Sequence, residues 1–398
     1  MMRRFWVFLV LCFAVLSVEA QSVEVGMADT LSYFPALRGK RVALLCNRTS
    51  IAPLAGVEHA DDQGYVHLVD LLHDRGFDIM GIFSPEHGFR GTADAGETVR
   101  NSVDERTQIP ILSLYNGRTK RPSDELMQGF DVLVVDLQDV GLRFYTYYIS
   151  MLRMMDACAG FDREVIVLDR PNPNGHHIDG PILDMRYKSG VGALPIPVLH
   201  GLTMGEIALM AKGEGWCKPC RLTVVGCRNY THSTEYILPV PPSPNLRSQL
   251  SIYLYPSLCL FEGTPFSVGR GTPHPFECFG HPSLKASAGY THMFTPSPSA
   301  GAKHPPLEGQ LCRGKNLSRL DPAVARAIGF SLTYIIEACR ASGLGEKFFT
   351  PMFEKLVGVD YIRPMIISGA SASDIRARWE SDLEEYKALR KKYLLYAD

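Results

Sequence analysis

The chain has 398 residues, more than one hydrophobic core ordinarily serves, so length alone leads to an expectation of two domains. Apolar residues make up 46% of it, which excludes a disordered chain, and 41 basic residues nearly cancel 42 acidic ones. No block of like charge appears, so nucleic acid and anionic membrane lack an electrostatic footing as partners, and a neutral ligand fits better.

Taken in chain order, the first segment is a leader. Arg3 and Arg4 precede an apolar run over 5–16, and Val18 and Ala20 supply small residues before Gln21, the pattern of a signal peptide over 1–20 cleaved after Ala20. The run is short for a membrane span, and no later stretch offers about 18 uninterrupted apolar residues. Export to the periplasm or beyond, without a membrane span, is the expectation.

From 41 to 225, short β-rich runs alternate with amphipathic helical ones, as in a parallel sheet covered on both faces. Strands are expected over 41–46, 78–83, 109–114, 131–136, 164–169 and 221–225. Helices are expected near 65–75, 123–128, 148–159 and 203–212, several opening on Ser, Thr or Asp as N-caps. The class is α/β, a Rossmann-like, mostly parallel sheet. The turn after the first strand reads Asn47, Arg48, Thr49, Ser50 and carries no Gly-x-Gly-x-x-Gly, so a dinucleotide is disfavoured. No cofactor and no metal are expected.

Pro239, Pro241, Pro242 and Pro244 break regular structure, which puts a domain boundary near 248: a catalytic domain over 21–248 and a smaller α+β auxiliary domain over 249–398. Residues 263–306, dense in Gly, Pro, Ser and His, suggest a long loop wrapping back toward the first domain rather than another sheet. Two helices close the chain. One is capped by Asp321 with Pro322 in its first turn and runs to about 341. The other begins near Ser371 with Asp374 three residues on, and carries Trp379, Leu383 and Tyr386 on one face.

Nine cysteines follow the leader. Trp216, Cys217, Lys218, Pro219 and Cys220 mimic a thioredoxin active site, but there a strand precedes the motif and a helix follows. Here that order is reversed, and with Cys227 nearby a local disulfide in an oxidising compartment is the simpler expectation. Zinc lacks a fourth ligand at finger spacing.

In open parallel sheets, ligands bind beyond the carboxyl ends of the strands. Those positions hold SPEHGFRG (84–91), DLQDVGLRFYTY (136–147) and LDRPNPNG (168–175). Singly, each has a structural reading: a tight turn at Glu86 and His87, a salt bridge between Asp139 and Arg143, a proline-set loop at Asp169, Arg170 and Asn172, a hydrogen-bonded core histidine at His200. Their convergence favours a site, because so many ionisable groups at one edge cost stability unless they are used. Glycoside hydrolysis needs a proton donor and usually a second carboxylate. Glu86, between Pro85 and Phe89 after a buried strand, suits the donor. Asp136, Asp139, Asp169 and Glu262 are candidates for the second, and Tyr145 and Tyr147 offer stacking faces or hydroxyls.

These motifs, with DGP (179–181), LHGLTMGEIA (199–208), PPSPNL (241–246), FEGTPFSVGRGTPHPF (261–276) and KKYLLY (391–396), resemble the NamZ-type exo-β-N-acetylmuramidases, in order along nearly the whole mature chain. The resemblance implies a Rossmann-like catalytic domain joined to an auxiliary domain with the cleft between them. It further implies removal of N-acetylmuramic acid from non-reducing ends of peptidoglycan fragments. It matches Glu86 to the catalytic glutamate and brings Glu262 and Arg270 to the cleft from the second domain. Arg90, Arg143 or Arg270 would meet the substrate carboxylate. The substrate-binding candidates are thus His87, Arg90, Gln138, Arg143, Tyr145, Asp169, Arg170, Asn172, His200, Asn245 and Arg270. Pro265 stands where the family carries asparagine, and the insert around Cys217 is unusual for it. The competing readings are a non-catalytic muropeptide-binding protein and a disulfide oxidoreductase.

Overall fold

A computed structural model describes residues 22–54, 57, 59–85, 89, 102–114, 122–287 and 289–398. The leader expected over 1–20 lies outside them, and no described helix is long and apolar enough to cross a membrane.

The first half contains strands β1 (Arg41–Cys46), β2 (Ile51–Pro53), β3 (Tyr65–His67), β4 (Asp78–Ser84), β5 (Ser102–Val103), β6 (Pro110–Ser113), β7 (Val132–Asp136), β8 (Glu164–Leu168) and β9 (Arg221–Val225). Seven form one sheet in the order β5-β6-β4-β1-β7-β8-β9, and β5–β6 is its antiparallel pair. The remaining pairs are parallel. Its six parallel strands follow the Rossmann order, with the topological switch between β1 and β7. Both faces are buried, hence the continuous Val/Leu/Ile runs. Val42, Leu44, Val132 and Val134 pack on one side with Tyr33 and Leu37 of α1 (Thr30–Leu37) and with α2 (Leu68–Asp74). Ala43, Leu45, Leu133 and Val135 pack on the other. There they meet α3 (Asp124–Gln128), α4 (Tyr147–Gly160) and α5 (Met204–Gly213). The helix expected over 65–75 is instead a strand followed by a helix: β3 pairs with β2 as a small hairpin before α2 begins.

The second half opens with α6 (Gln249–Leu258), capped by Ser248. Residues 263–306 are not a plain loop. They contain β10 (Cys278–His281) and β11 (His292–Phe294), which flank β12 (Cys312–Asn316) in an antiparallel sheet. Phe279 stacks on Phe261 at 4.4 Å between ring centroids, which ties this sheet to the segment after α6.

Each terminal helix expected from the sequence is two. Asp321 and Pro322 do open a helix, α7 (Pro322–Ile328), but Gly329 at φ 60° ends it before α8 (Thr333–Ser342). After α9 (Met352–Val357) and α10 (Ile362–Ile367), the Ser371–Asp374 capping box starts α11 (Ala372–Arg376), and α12 (Glu380–Arg390) follows. Trp379 breaks the run because its indole turns inward and donates to Asp179 of the first half at 3.1 Å. One apolar core includes Tyr148, Phe261, Ile335 and Trp379, so it runs unbroken from one half into the other.

Candidate active site

At the switch point, the loops after β1 and β7 are laced to each other. Ser50 Oγ donates to the Asp136 carbonyl at 2.5 Å, and the Gln138 amide donates to Thr49 Oγ1 at 3.1 Å. Direct bonds thus join the loops where a dinucleotide fold would hold a glycine-rich phosphate cradle.

The polar residues beyond the strands mostly serve one another. Asp136, expected as a catalytic candidate, is fully buried and holds the guanidinium of Arg170, which donates from Nε and, at 2.9 Å, from Nη2. Neither side chain is left for a sugar, which corrects both assignments. Asp169 accepts from Thr203 Oγ1 (2.6 Å), the Gly205 amide (2.8 Å) and the Tyr396 hydroxyl (2.8 Å), tying β8 to the start of α5 and to the chain's last residues. Burial raises its carboxyl to about 6. Asn172 shapes its own turn, accepting from the Asn174 amide and donating to the Leu202 carbonyl. Asn245 donates to the Gly301 carbonyl at 2.6 Å, joining the proline-rich stretch to the loop before β12. Asp169 and Asn172 are structural in this geometry, whereas Asn245 Oδ1 is buried without a hydrogen-bond partner among the described residues.

Arg143 needs the largest correction. Read as a salt-bridge partner of Asp139 or a substrate contact, it is fully buried and faces no carboxylate. Nη1 donates to the carbonyls of Pro181 (2.6 Å) and Ile196 (2.9 Å), Nη2 to those of Leu356 (2.9 Å) and Val357 (2.8 Å). The last two end α9, where helix carbonyls lack intrahelical donors and the dipole favours a cation. Burial lowers the guanidinium to about 10, so it stays charged at neutrality.

Asp139 lies beside His200, with 3.9 Å between Oδ1 and Nε2. Asp139 Oδ1 accepts from the Gly141 amide at 2.6 Å. His200 Nδ1 accepts from the Leu202 amide, which places the ring proton on Nε2, toward the carboxylate. Asp139 Oδ2, His200 Nε2 and the neighbouring Gln138 Oε1 are buried without a hydrogen-bond partner among the described residues. Burial pushes Asp139 up to about 7, against the amides of Gly141, Val140 and Leu142, which pull it down. Burial, with Arg390 and Arg143 nearby, lowers His200 to about 3, so the ring is neutral. From pH about 4 to 7 the folded protein holds an Asp139 proton that an unfolded chain has released. The stability this group contributes is therefore complete below about pH 4 and is lost as pH rises through 7, with a slope of at most about 1.4 kcal/mol per pH unit. Asp139→Asn is expected to compare better with wild type at pH 8 than at pH 5 in urea unfolding. A stability difference equal at both pH values would contradict this.

Glu262 and Arg270, from the second half, meet the first half at a cavity of about 100 Å³. Its lining includes Tyr145, Thr146 and Tyr147 from the β7–α4 connection, Ser243, and Tyr255 and Phe276 from the second half. The Tyr145 and Tyr147 hydroxyls donate to the Pro242 carbonyl at 2.9 and 3.0 Å, which fixes their rings and leaves faces rather than hydroxyls for a ligand. Arg270 Nε donates to Glu262 Oε1 at 2.8 Å. Tyr255 and Phe276 were not anticipated. Phe276 lay inside a quoted motif with no feature to single it out, and Tyr255 sits on α6, a helix that its Pro256 obscures.

A larger depression of about 540 Å³ borders α12. Most of its charges pair among themselves, Lys387 with Glu384 at 2.7 Å and Arg390 with Asp398 at 2.7 Å, so it is the weaker candidate. Glu86, His87 and Arg90 lie outside the described residues. Cys217 and Cys220 are free thiols, not the disulfide expected. Burial raises Cys217 to about 12, opposite to a redox thiol. Among the described residues, no group of three or more His, Cys, Asp or Glu side chains is placed to hold a metal.

Two family models match consecutive parts of the chain: the N-terminal part of exo-β-N-acetylmuramidase NamZ over residues 42–250 and its C-terminal part over 253–396. The peptidoglycan β-N-acetylmuramidase NamZ of Bacillus subtilis (strain 168) is 38% identical, over 96% of this chain and 93% of that protein. Two solved structures from Bacteroides fragilis NCTC 9343, both of DUF1343-family proteins, share the fold. One is 51% identical with a TM-score of 0.85, covering 95% of this chain and 100% of its own. The other is 28% identical with a TM-score of 0.78, covering 94% and 99%.

Proposed function

The chain belongs to the family of NamZ exo-β-N-acetylmuramidases, and from that premise we propose that it releases terminal N-acetylmuramic acid from the non-reducing ends of peptidoglycan fragments. It is a glycoside hydrolase, and its substrate is a saccharide. The observation that carries this reading is 38% identity to a peptidoglycan β-N-acetylmuramidase over 96% of the chain, both halves included. The seam between the halves supports it. Aromatic faces at Tyr145 and Tyr255 beside a charged pair suit an amphipathic sugar. A recess of about 100 Å³ is of a size to take a substituent of a terminal sugar.

A chromogenic β-N-acetylmuraminide is the direct substrate, and a defined saccharide bearing N-acetylmuramic acid at its non-reducing end is the natural one. Release of the free sugar from both, between pH 5 and 8, is the expected result. Binding without turnover would favour the non-catalytic muropeptide-binding reading and overturn this one. We also propose export, on the leader-like residues 1–20. Protein recovered from its host should then begin at Gln21, and a cytosolic chain retaining residues 1–20 would contradict it.

A further inference from the structure

We infer that Arg270 is the carboxylate receptor of the cleft, a specificity-determining residue that selects sugars whose lactyl group carries a free negative charge. The inference rests on the muramidase reading and adds to it the group that distinguishes muramic acid from plain N-acetylglucosamine. Three observations carry it.

First, the guanidinium is held rigidly. Nε donates to Glu262 Oε1 at 2.8 Å, and the planar group lies over the Phe276 ring with its central carbon 4.9 Å from the centroid. Held by one edge and one face, it keeps its fork pointed in one direction. Second, neither terminal nitrogen makes a hydrogen bond among the described residues, although the residue lines the cavity and its side chain is only 15% exposed. Two parallel donors left over in a half-dry recess match the two oxygens of a carboxylate. Third, the other arginines described at this edge are spent, Arg143 on four carbonyls and Arg170 on Asp136, while Arg90 lies outside the described residues.

The dimensions agree. About 100 Å³ is well below the roughly 300–1,000 Å³ of a site enclosing a whole ligand, but it suits a substituent. Glu262 gives this receptor its orientation and balances its charge when the site is empty, so it acts as a positioning residue.

The test pairs a chromogenic β-N-acetylmuraminide with its lactyl methyl ester, which keeps the shape and removes the charge. Wild type is expected to favour the acid in KM by on the order of 30-fold, within the range of a bidentate charge-assisted contact. In Arg270→Ala that ratio should collapse toward one. Arg270→Lys, which keeps the charge and the stem over Phe276, should retain part of the preference and covers the case in which the alanine variant does not fold. Equilibrium binding of free N-acetylmuramic acid and of its methyl ester gives a second readout that needs no turnover. Loss of hydrolysis with an Arg270-dependent preference for the acid would remove the hydrolase reading and leave this one standing. A preference for the acid as large in Arg270→Ala as in wild type, or undiminished in Arg270→Lys, would overturn it.

Discussion

Glu86→Gln is expected to lower kcat on a natural saccharide by roughly 10²–10⁴ while leaving KM nearly unchanged, because it removes a proton needed only in the transition state. The amide keeps the size and polarity of the side chain but has no acidic proton to give. Leaving-group dependence makes the result diagnostic. A sugar alkoxide is a poor leaving group and needs the proton, whereas a nitrophenolate departs with little help. The loss should therefore be far smaller on the chromogenic aryl glycoside than on the saccharide. The described carboxylates are poorly suited to replace the donor. Asp136 is bound to Arg170 and Glu262 to Arg270, and both carboxylates are occupied as hydrogen-bond acceptors. Asp139 holds its proton up to about pH 7 but is only 4% exposed and does not line the cavity. The chain on either side of Glu86 is well anchored, since Pro85 is buried after β4 and Phe89 packs edge-on against His67 at 5.3 Å. Equal kcat for Glu86→Gln and wild type on the saccharide would sink this assignment.

The fold is legible because burial on both sheet faces writes itself into composition. A run such as Val132 to Val135 has no polar residue to expose, so its strand and its central place follow together. The second half gives no such signal. β10 reads Cys-Phe-Gly-His and β12 Cys-Arg-Gly-Lys-Asn, each with a glycine and too short for a period to show, and their pairing depends on Phe279 meeting Phe261. The terminal helices fail for a related reason. Their period continues past Trp379, but the indole's partner, Asp179, is 200 residues away.

The site was legible in a different way. Its region follows from the position of polar loops after parallel strands, but the roles of individual residues do not. The premise that crowded ionisable groups imply a ligand overlooked a cheaper solution, in which they satisfy one another. Asp136 takes Arg170, Asp169 takes Thr203 and Tyr396, and Asp139 takes the amide of Gly141 two residues on. What distinguishes Arg270 is that its terminal nitrogens are left over among the described residues while it lines the cavity, a property of distances that no motif displays.

Arg143→Met should be the most destabilising of the substitutions considered, at about 4 kcal/mol, although the residue touches no proposed substrate. The guanidinium supplies one donor to each of four carbonyls, two from the first half at Pro181 and Ile196 and two from the end of α9. Methionine fills much of the volume but leaves all four acceptors in a space too tight for water to replace the lost donors. Gly358 records how close the fit is: a Cβ there would come within 2.7 Å of Arg143 Nη2, and its φ of 78° already demands glycine. Lysine is not a conservative exchange, because three donors on a tetrahedral nitrogen do not reproduce a planar fork. Since the clamp joins the two halves, calorimetry is expected to show one unfolding transition in wild type and two in Arg143→Met, the second half melting first. Activity should fall with it, because Phe144 and Tyr145, which line the cavity, follow Arg143 directly along the chain. A variant that melts in one transition within about 1 kcal/mol of wild type would show that the carbonyls find other donors, and that the apolar core alone holds the halves together.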